Sequence, residues 1–358
     1  MAYTTIDNPE LYFQTKAYTG NGTAIGSGGL AVTLDGSENM QSDFVWLKRR
    51  TDNGYHNNLF DSVRGVTKVL YSNLTGDAEG TKTEGLTTFG SDGFTVGNDG
   101  DCNASGKSHV AWCWKAGGSA STNTTGSIDV ELSANSTSGF SVCTGTSASS
   151  GEFTFAHGLG TKVDMCIFKN RVDSGTDWVV FQSGVCDATT KYMTFGIGAL
   201  ATSGSSIWGA ALPTTTLMGG TSGQLVTGSK AFVAYNFSNR QGFLKCGTYV
   251  GNGNADGTFV FCGFRPAYIM VKSSSAGSTG WNILDNKRDP ENVMDTILQP
   301  NNSNADANDS NKYCDFLSNG FKWYGTGGET NGSGTTYIFA AFAEASFVNS
   351  KGVPCNAR

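Results

Sequence analysis

Short apolar runs alternate with Gly-, Ser- and Asn-rich stretches along the chain, and no segment sustains the three-four spacing of a long amphipathic helix. Landmarks recur in a fixed order. A Gly-Asn-Gly turn follows a tyrosine at Tyr18–Gly22 and again at Tyr249–Gly253. An apolar run closed by lysine stands at Asp43–Lys48, Asp164–Lys169 and Ala267–Lys272. An aromatic segment follows at Leu59–Phe60, Trp178–Phe181 and Trp281–Leu284, and Ser91-Asp92-Gly93-Phe94 is echoed by Ser318-Asn319-Gly320-Phe321. Each copy closes on an apolar strand, Val110–Trp114, Val233–Phe237 and Ile338–Phe342. Shared order of this kind is the signature of tandem repeats. Copies one and three agree best, and copy two lacks the Ser-Asp-Gly-Phe landmark.

The repeat predicts an organisation: an N-terminal arm (1–16), modules at 17–118, 139–239 and 240–346, a linker (119–138) of flexible composition, and a C-terminal tail (347–358). Modules of roughly 100 residues, with strand signals at roughly 8–15-residue spacing, predict an all-β chain of three tandem antiparallel β-sandwiches, jelly-roll-like. The lysine-closed runs are continuous rather than alternating, as in strands covered on both faces. Val293, Met294, Ile297 and Leu298 have the spacing of one short helix over 291–298.

Composition narrows the function classes. Only 15% of residues are charged, and 49 Gly with 6 Pro suit short strands joined by turns. A net charge of −6 without a basic stripe argues against a nucleic-acid partner. No run reaches the ~18 apolar residues of a membrane span, and the start carries no signal-peptide pattern. The nine Cys, an odd number without a repeated CxxC, are expected to be reduced thiols of a chain made in a cytosol, and three scattered His do not make a zinc site.

The sharpest polar pattern is Asp61-x-x-Arg64, repeated as Asp285-x-x-Arg288, with Gln182 where copy two would carry its Asp. Structural ion pairs are expected there. The acid-rich loops Asn98–Asp101 and Asp306–Ser310 resemble part of a calcium loop but lack its spacing, so they read as solvated turns, with calcium the open alternative. No paired acids recur as glycoside cleavage would require, and no Gly-x-Ser-x-Gly elbow meets a His partner. His157 reads as a turn residue, and the Gly-rich stretches do not open helices as phosphate cradles would. Catalytic residues, metal ligands and cofactors are therefore none. Tyr55, Trp323 and Tyr324 would stack on sugars if exposed, although packing is the default for aromatics. The arm carries Ile6, Leu11, Tyr12 and Phe13 with little charge. It is expected to dock on a neighbouring subunit or anchor protein by strand addition, the alternative being packing on the first module of its own chain.

The opening Tyr3–Thr15, the Tyr-Thr-Gly-Asn-Gly turn, Leu59–Gly65, Ala111–Gly118 and the terminal Val353–Arg358 resemble a family of repeat-bearing proteins of marine tailed bacteriophages, cyanophages among them. These are described as tail-fibre or virion structural proteins, or as carrying a domain of unknown function. Cys102, Cys143, Cys246 and Cys262 depart from that pattern, which has Ser, Thr, Val or Tyr there. The resemblance implies a non-enzymatic virion protein, made in the bacterial host cytoplasm and acting as a tail fibre or tail-associated host-attachment protein. A capsid decoration or other virion-surface protein is the alternative, and a polysaccharide-degrading tailspike the third reading. The expected partners are other virion proteins, copies of the same chain in a symmetric homo-oligomer, and a host-surface glycan.

Overall fold

The computed structural model describes residues 3–74, 76 and 78–356; Met1 and Ala2 of the arm, Thr75 and Asp77 in the first module, and Ala357 and Arg358 of the tail lie outside the described residues. Strand makes up 42% of the chain and helix 3%, in antiparallel sheets, so the all-β class holds.

One strand order occurs three times. Phe13–Thr19 pairs with Ser108–Trp114, which pairs with Phe44–Arg49, which pairs with Asn57–Asp61. Phe140–Thr146, Ala231–Phe237, Met165–Asn170 and Val179–Gln182 repeat it, as do Leu244–Val250, Thr336–Ser346, Phe264–Ser273 and Trp281–Asp285. Register repeats with order: Phe44, Met165 and Tyr268 stand opposite Trp114, Phe237 and Phe342. The lysine-closed runs therefore occupy equivalent strands. A smaller sheet accompanies each large one: Leu30–Val32 with Gly93–Val96 and Leu86–Gly90, Glu152–Ala156 with Leu217–Thr221, and Phe259–Phe261 with Gly320–Trp323 and Cys314–Leu317.

Side chains along a strand alternate between faces, and here each face is covered by something different. In the first unit Val45, Leu47, Ala111 and Cys113 meet Val32, Phe94 and Val96 of the small sheet. Their neighbours Phe44, Trp46, Trp112 and Trp114 point the other way, into a cluster shared with Ile167 and Tyr235 of the second unit and Tyr268 and Phe342 of the third. Rings bridge every pair of units: Phe44 and Tyr235 at 4.2 Å, Trp114 and Tyr268 at 5.9 Å, Phe237 and Phe342 at 5.8 Å between centroids. The three large sheets thus close around one aromatic core.

Hydrogen bonds follow the same cycle. The position opposite each closing lysine donates from its side chain to a carbonyl of the neighbouring unit: Trp178 Nε1 to Tyr71 O at 2.9 Å, Trp281 Nε1 to Thr194 O at 2.9 Å, and Asn57 Nδ2 to Asn302 O at 2.8 Å. The lysines are buried beside the hairpins of their own units, Lys48 also reaching Ser303 O of the third unit at 3.4 Å. Lys48 donates to Tyr55 O at 2.8 Å, Lys272 to Thr279 O at 2.9 Å, and Lys169 to Thr176 O, each reaching the carbonyl seven residues on and tying off its hairpin loop.

Three expectations are corrected. The segment 119–138 is not a free linker: Ser121–Asn123 and Val130–Asn135 extend the second large sheet, and the Asp43 carboxylate accepts the N–H groups of Ala116 at 2.8 Å and Gly118 at 3.2 Å. The helix over 291–298 does not form. Met294 bridges to Cys314, Leu298 to Ile283, and Thr296–Ile297 pairs with Ala307–Asn308. One isolated helical turn would satisfy few of its own backbone groups, whereas the extended segment bonds to its neighbours while burying Met294, Ile297 and Leu298. The first strand also starts at Phe13, inside the arm.

A unit cut from the ring would expose its inner aromatic face. Residues 120–239 expressed alone are expected to aggregate or bind a hydrophobic dye, while the full chain melts in one calorimetric transition. Separate, independently reversible transitions for the three units would contradict the shared core.

Candidate functional site at the seams between units

The Asp–Arg pairs lie where the units meet. Asp61 ends its strand, accepts the Arg64 backbone N–H at 2.8 Å through Oδ1 and the Arg64 Nε–H through Oδ2. Arg64 Nη2 donates to Leu59 O at 2.8 Å and to the Tyr235 hydroxyl of the second unit at 3.2 Å, and that hydroxyl donates to Asp61 Oδ2 at 2.8 Å. Arg64 also meets Glu79 at 3.0 Å, and Glu79 is held from the second unit by Arg171 at 2.8 Å. Burial opposes the Arg64 charge, but Asp61, Tyr235 and Glu79 hold the guanidinium well above its ordinary pKa. Two anions and two cations balance across this seam.

Asp285 and Arg288 repeat the geometry. Asp285 accepts the Arg288 N–H at 3.0 Å and its Nε–H at 2.6 Å, while Arg288 Nη2 donates to Ile283 O at 2.8 Å. The facing donor is Trp112 Nε1 of the first unit, 3.0 Å from Asp285 Oδ2. Trp112 and Tyr235 are equivalent, standing opposite Trp46 and Ile167 in their ladders; the third such position, opposite Met270, is Ala340. Ala340 offers no donor, and at the second unit's Asp position stands the uncharged Gln182, which accepts the Gly184 N–H at 2.8 Å. The ion pair is thus present at the two seams where a ring donor faces it and missing at the third. Both aspartates are fully buried with both oxygens engaged in hydrogen bonds.

The arm is packed within its own chain, on both the first and the third unit: Phe13 stands opposite Trp114 with ring centroids at 5.0 Å, and Lys115 N–H donates to Tyr12 O at 3.0 Å. Ile6 lies in the shared core and its carbonyl accepts from Ser346 Oγ at 3.1 Å. Thr4 Oγ1 donates to Gln241 O at 2.8 Å, Tyr12 packs edge-on to Phe243 at 5.8 Å, and Phe13 stacks on Phe342 at 4.8 Å. Leu11 is half-buried in the short 3-10 turn Pro9–Leu11. Packing within the same chain, the alternative to docking on a neighbouring subunit, accounts for the burial of Ile6 and Phe13, with the third unit sharing the role expected of the first.

The remaining candidates are drawn into packing. Asp99 and Asp101 both meet Lys82, Asp306 meets Arg50 at 2.6 Å, and Asp309 meets Lys312 at 3.2 Å. Among the described residues no three His, Cys, Asp or Glu side chains group as a metal site would require. All nine cysteines are free thiols, eight of them buried. Tyr55 lies under the Arg49 guanidinium at 3.6 Å, Trp323 is buried, and Tyr324, half-buried just past the strand Gly320–Trp323, stacks on Tyr313. His157 caps its turn: its Nε2–H donates to Thr214 O and its Nδ1 accepts the Leu159 N–H, both at 3.3 Å. The seam donors Asn57, Trp178 and Trp281 carry no motif; their one signal is their place after the lysine-closed run.

Asp61→Asn or Asp285→Asn leaves a buried arginine without its counter-charge and is expected to cost about 3–5 kcal/mol in urea unfolding. Gln182→Asp buries a carboxylate with no arginine in register and should also destabilise; a neutral result for all three would sink the seam assignment. The pH dependence has a definite sign. Burial pushes His109 and His157 down to about 4. The unfolded chain therefore binds more protons between about 6.5 and about 4, and stability falls as pH drops through that window. His109→Gln with His157→Gln is expected to flatten the fall in melting temperature between pH 6.5 and 4.5.

A family profile described as a domain of unknown function, DUF7483, matches residues 8–346. No curated protein and no solved structure matches the chain. The matched span runs from the arm to the end of the last strand and takes in all three large sheets, and the chain belongs to the DUF7483 family, a domain of unknown function.

Proposed function

We propose that this chain is a non-catalytic structural protein of a bacteriophage virion, acting as a tail fibre or tail-associated host-attachment protein. The observation that carries the reading is the fate of its polar groups. The repeated acids Asp61 and Asp285 and the repeated lysines Lys48, Lys169 and Lys272 are buried in seams and hairpins, where they hold shape. What meets solvent is a set of sheet faces and Gly-rich loops, surfaces suited to contact rather than turnover. Copies of the chain and other virion proteins remain its proposed partners. Three units close within one chain, so self-association would use outer surfaces and not the ring contacts.

That same closure favours a second reading, a capsid decoration protein, because a ring of three like units fits a local three-fold axis. Quantitative mass spectrometry of purified particles separates the two: tens of copies or fewer indicate a fibre, on the order of hundreds a capsid or tube. Absence of the chain from particles would contradict both.

A further inference from the structure

The small sheet of the third unit carries two phenylalanines turned to solvent. Phe259 is 44% exposed and Phe261 56%, while Val260 between them is buried. Register places Lys322 beside Phe259 and Asp315 beyond Lys322 on the same face, with Gly320 and then Leu317 beside Phe261. At one end Tyr324 and Tyr313 lie nearly parallel, 15° apart with centroids at 6.0 Å, and Lys322 Nζ sits 5.3 Å from the Tyr324 ring.

The repeat supplies an internal control. Phe94 and Phe321 are equivalent and stand opposite Val32 and Val260, so Ala31 and Thr33 occupy in the first unit the places of Phe259 and Phe261. The corresponding strand of the second unit turns Glu152 and Thr154 outward. Gly93 and Gly320 are shared for a fold reason: a Cβ on either would stand 2.0 Å from a backbone oxygen, that of Val32 or Val260. No such reason requires the two exposed rings, because two units fold without them.

We infer that this face, resting on the attachment reading above, is a binding platform for a neutral hexose polymer. A pyranose presents an apolar C–H face rimmed by hydroxyls. Phe259, Phe261 and Tyr324 offer flat apolar rings, and Gly320 leaves a floor without a side chain between Phe261 and Leu317. The polar groups stand among the rings: Lys322 is bridged to Asp256, whose side chain is 82% exposed, and Asp315 flanks it. These groups can exchange hydrogen bonds with sugar hydroxyls. A seam between two copies would fit less well, since such seams are depleted of Lys and Asp at their centre.

The test is affinity electrophoresis of the full chain through gels containing dextran, galactan or mannan. The wild-type chain is expected to be retarded by at least one. Phe259→Ala with Phe261→Thr installs the first unit's residues and should raise the dissociation constant roughly tenfold or more by removing ring stacking, while Glu152→Ala on the second unit leaves retardation unchanged. If the double variant melts early, Tyr324→Ala is the substitute. Retardation by none of the three polymers, or equal retardation of wild type and variant, overturns the proposal. So does concentration-dependent dimerisation of the wild type that the double variant abolishes, which would make the face a contact between copies. Phage particles separate this from the attachment reading: variant chain incorporated normally with normal adsorption sinks the platform alone, while absence of wild-type chain from particles sinks the virion reading and leaves the gel result standing.

Discussion

A β-sheet apolar on both faces has to be covered twice, and that constraint organises this molecule. The lysine-closed runs put Phe44, Trp46, Met165, Ile167, Tyr268 and Met270 on one face of their sheets. The small sheets cover the opposite faces. The first set finds cover only in the neighbouring units, so the three large sheets meet in one core. Each unit completes the others, and ring closure follows from burial.

Closing a ring around aromatic rings raises a second requirement, since indole N–H, phenol O–H and strand-end carbonyls enter the core with them. An unpartnered buried polar group costs about 1–3 kcal/mol; the Trp46 and Trp114 indole N–H groups find no partner among the described residues, but others are satisfied across the seams. Trp178, Trp281 and Asn57 spend their donors on carbonyls of the next unit. Tyr235 and Trp112 spend theirs on Asp61 and Asp285, each already neutralised by its own arginine. The charged pair accompanies the ring donor and is replaced by Gln182 where Ala340 removes it. The repeat is thus a shared scaffold with polar details fitted seam by seam.

The closing lysines meet the same requirement in another way. Burial lowers Lys48 and Lys272 to about 8, and the energetic penalty on their charge is offset by carbonyls of their own hairpin loops. The closing lysines are held constant by these needs. Outer faces are free of them, which is why the units diverge there, from Ala31 and Thr33 to Phe259 and Phe261.

Much of the fold was legible in the sequence because it is local. Strand patterning, turn residues and continuous apolar runs reflect contacts between near neighbours, and recurrence in order marked the equivalent strands. Asp61 and Arg64, three residues apart, could be paired from spacing alone. Other features had no local signal. The Tyr235 hydroxyl reaches Asp61 across 174 residues, and Ser346 reaches Ile6 across 340. The arm's apolar residues announced that they would be buried, but not that the first and third units together would bury them. The segment 119–138 looked like a linker because Ser, Thr and Gly carry little apolar pattern, yet an open sheet edge recruited it as strands. Residues 291–298 had helical spacing and became extended because neighbouring strands offered hydrogen bonds that a single turn could not match. By itself the sequence determined which residues must leave water and which backbone shapes they could take. Only the tertiary structure decided what covered them, because burial is non-directional and any apolar face of the right shape can serve.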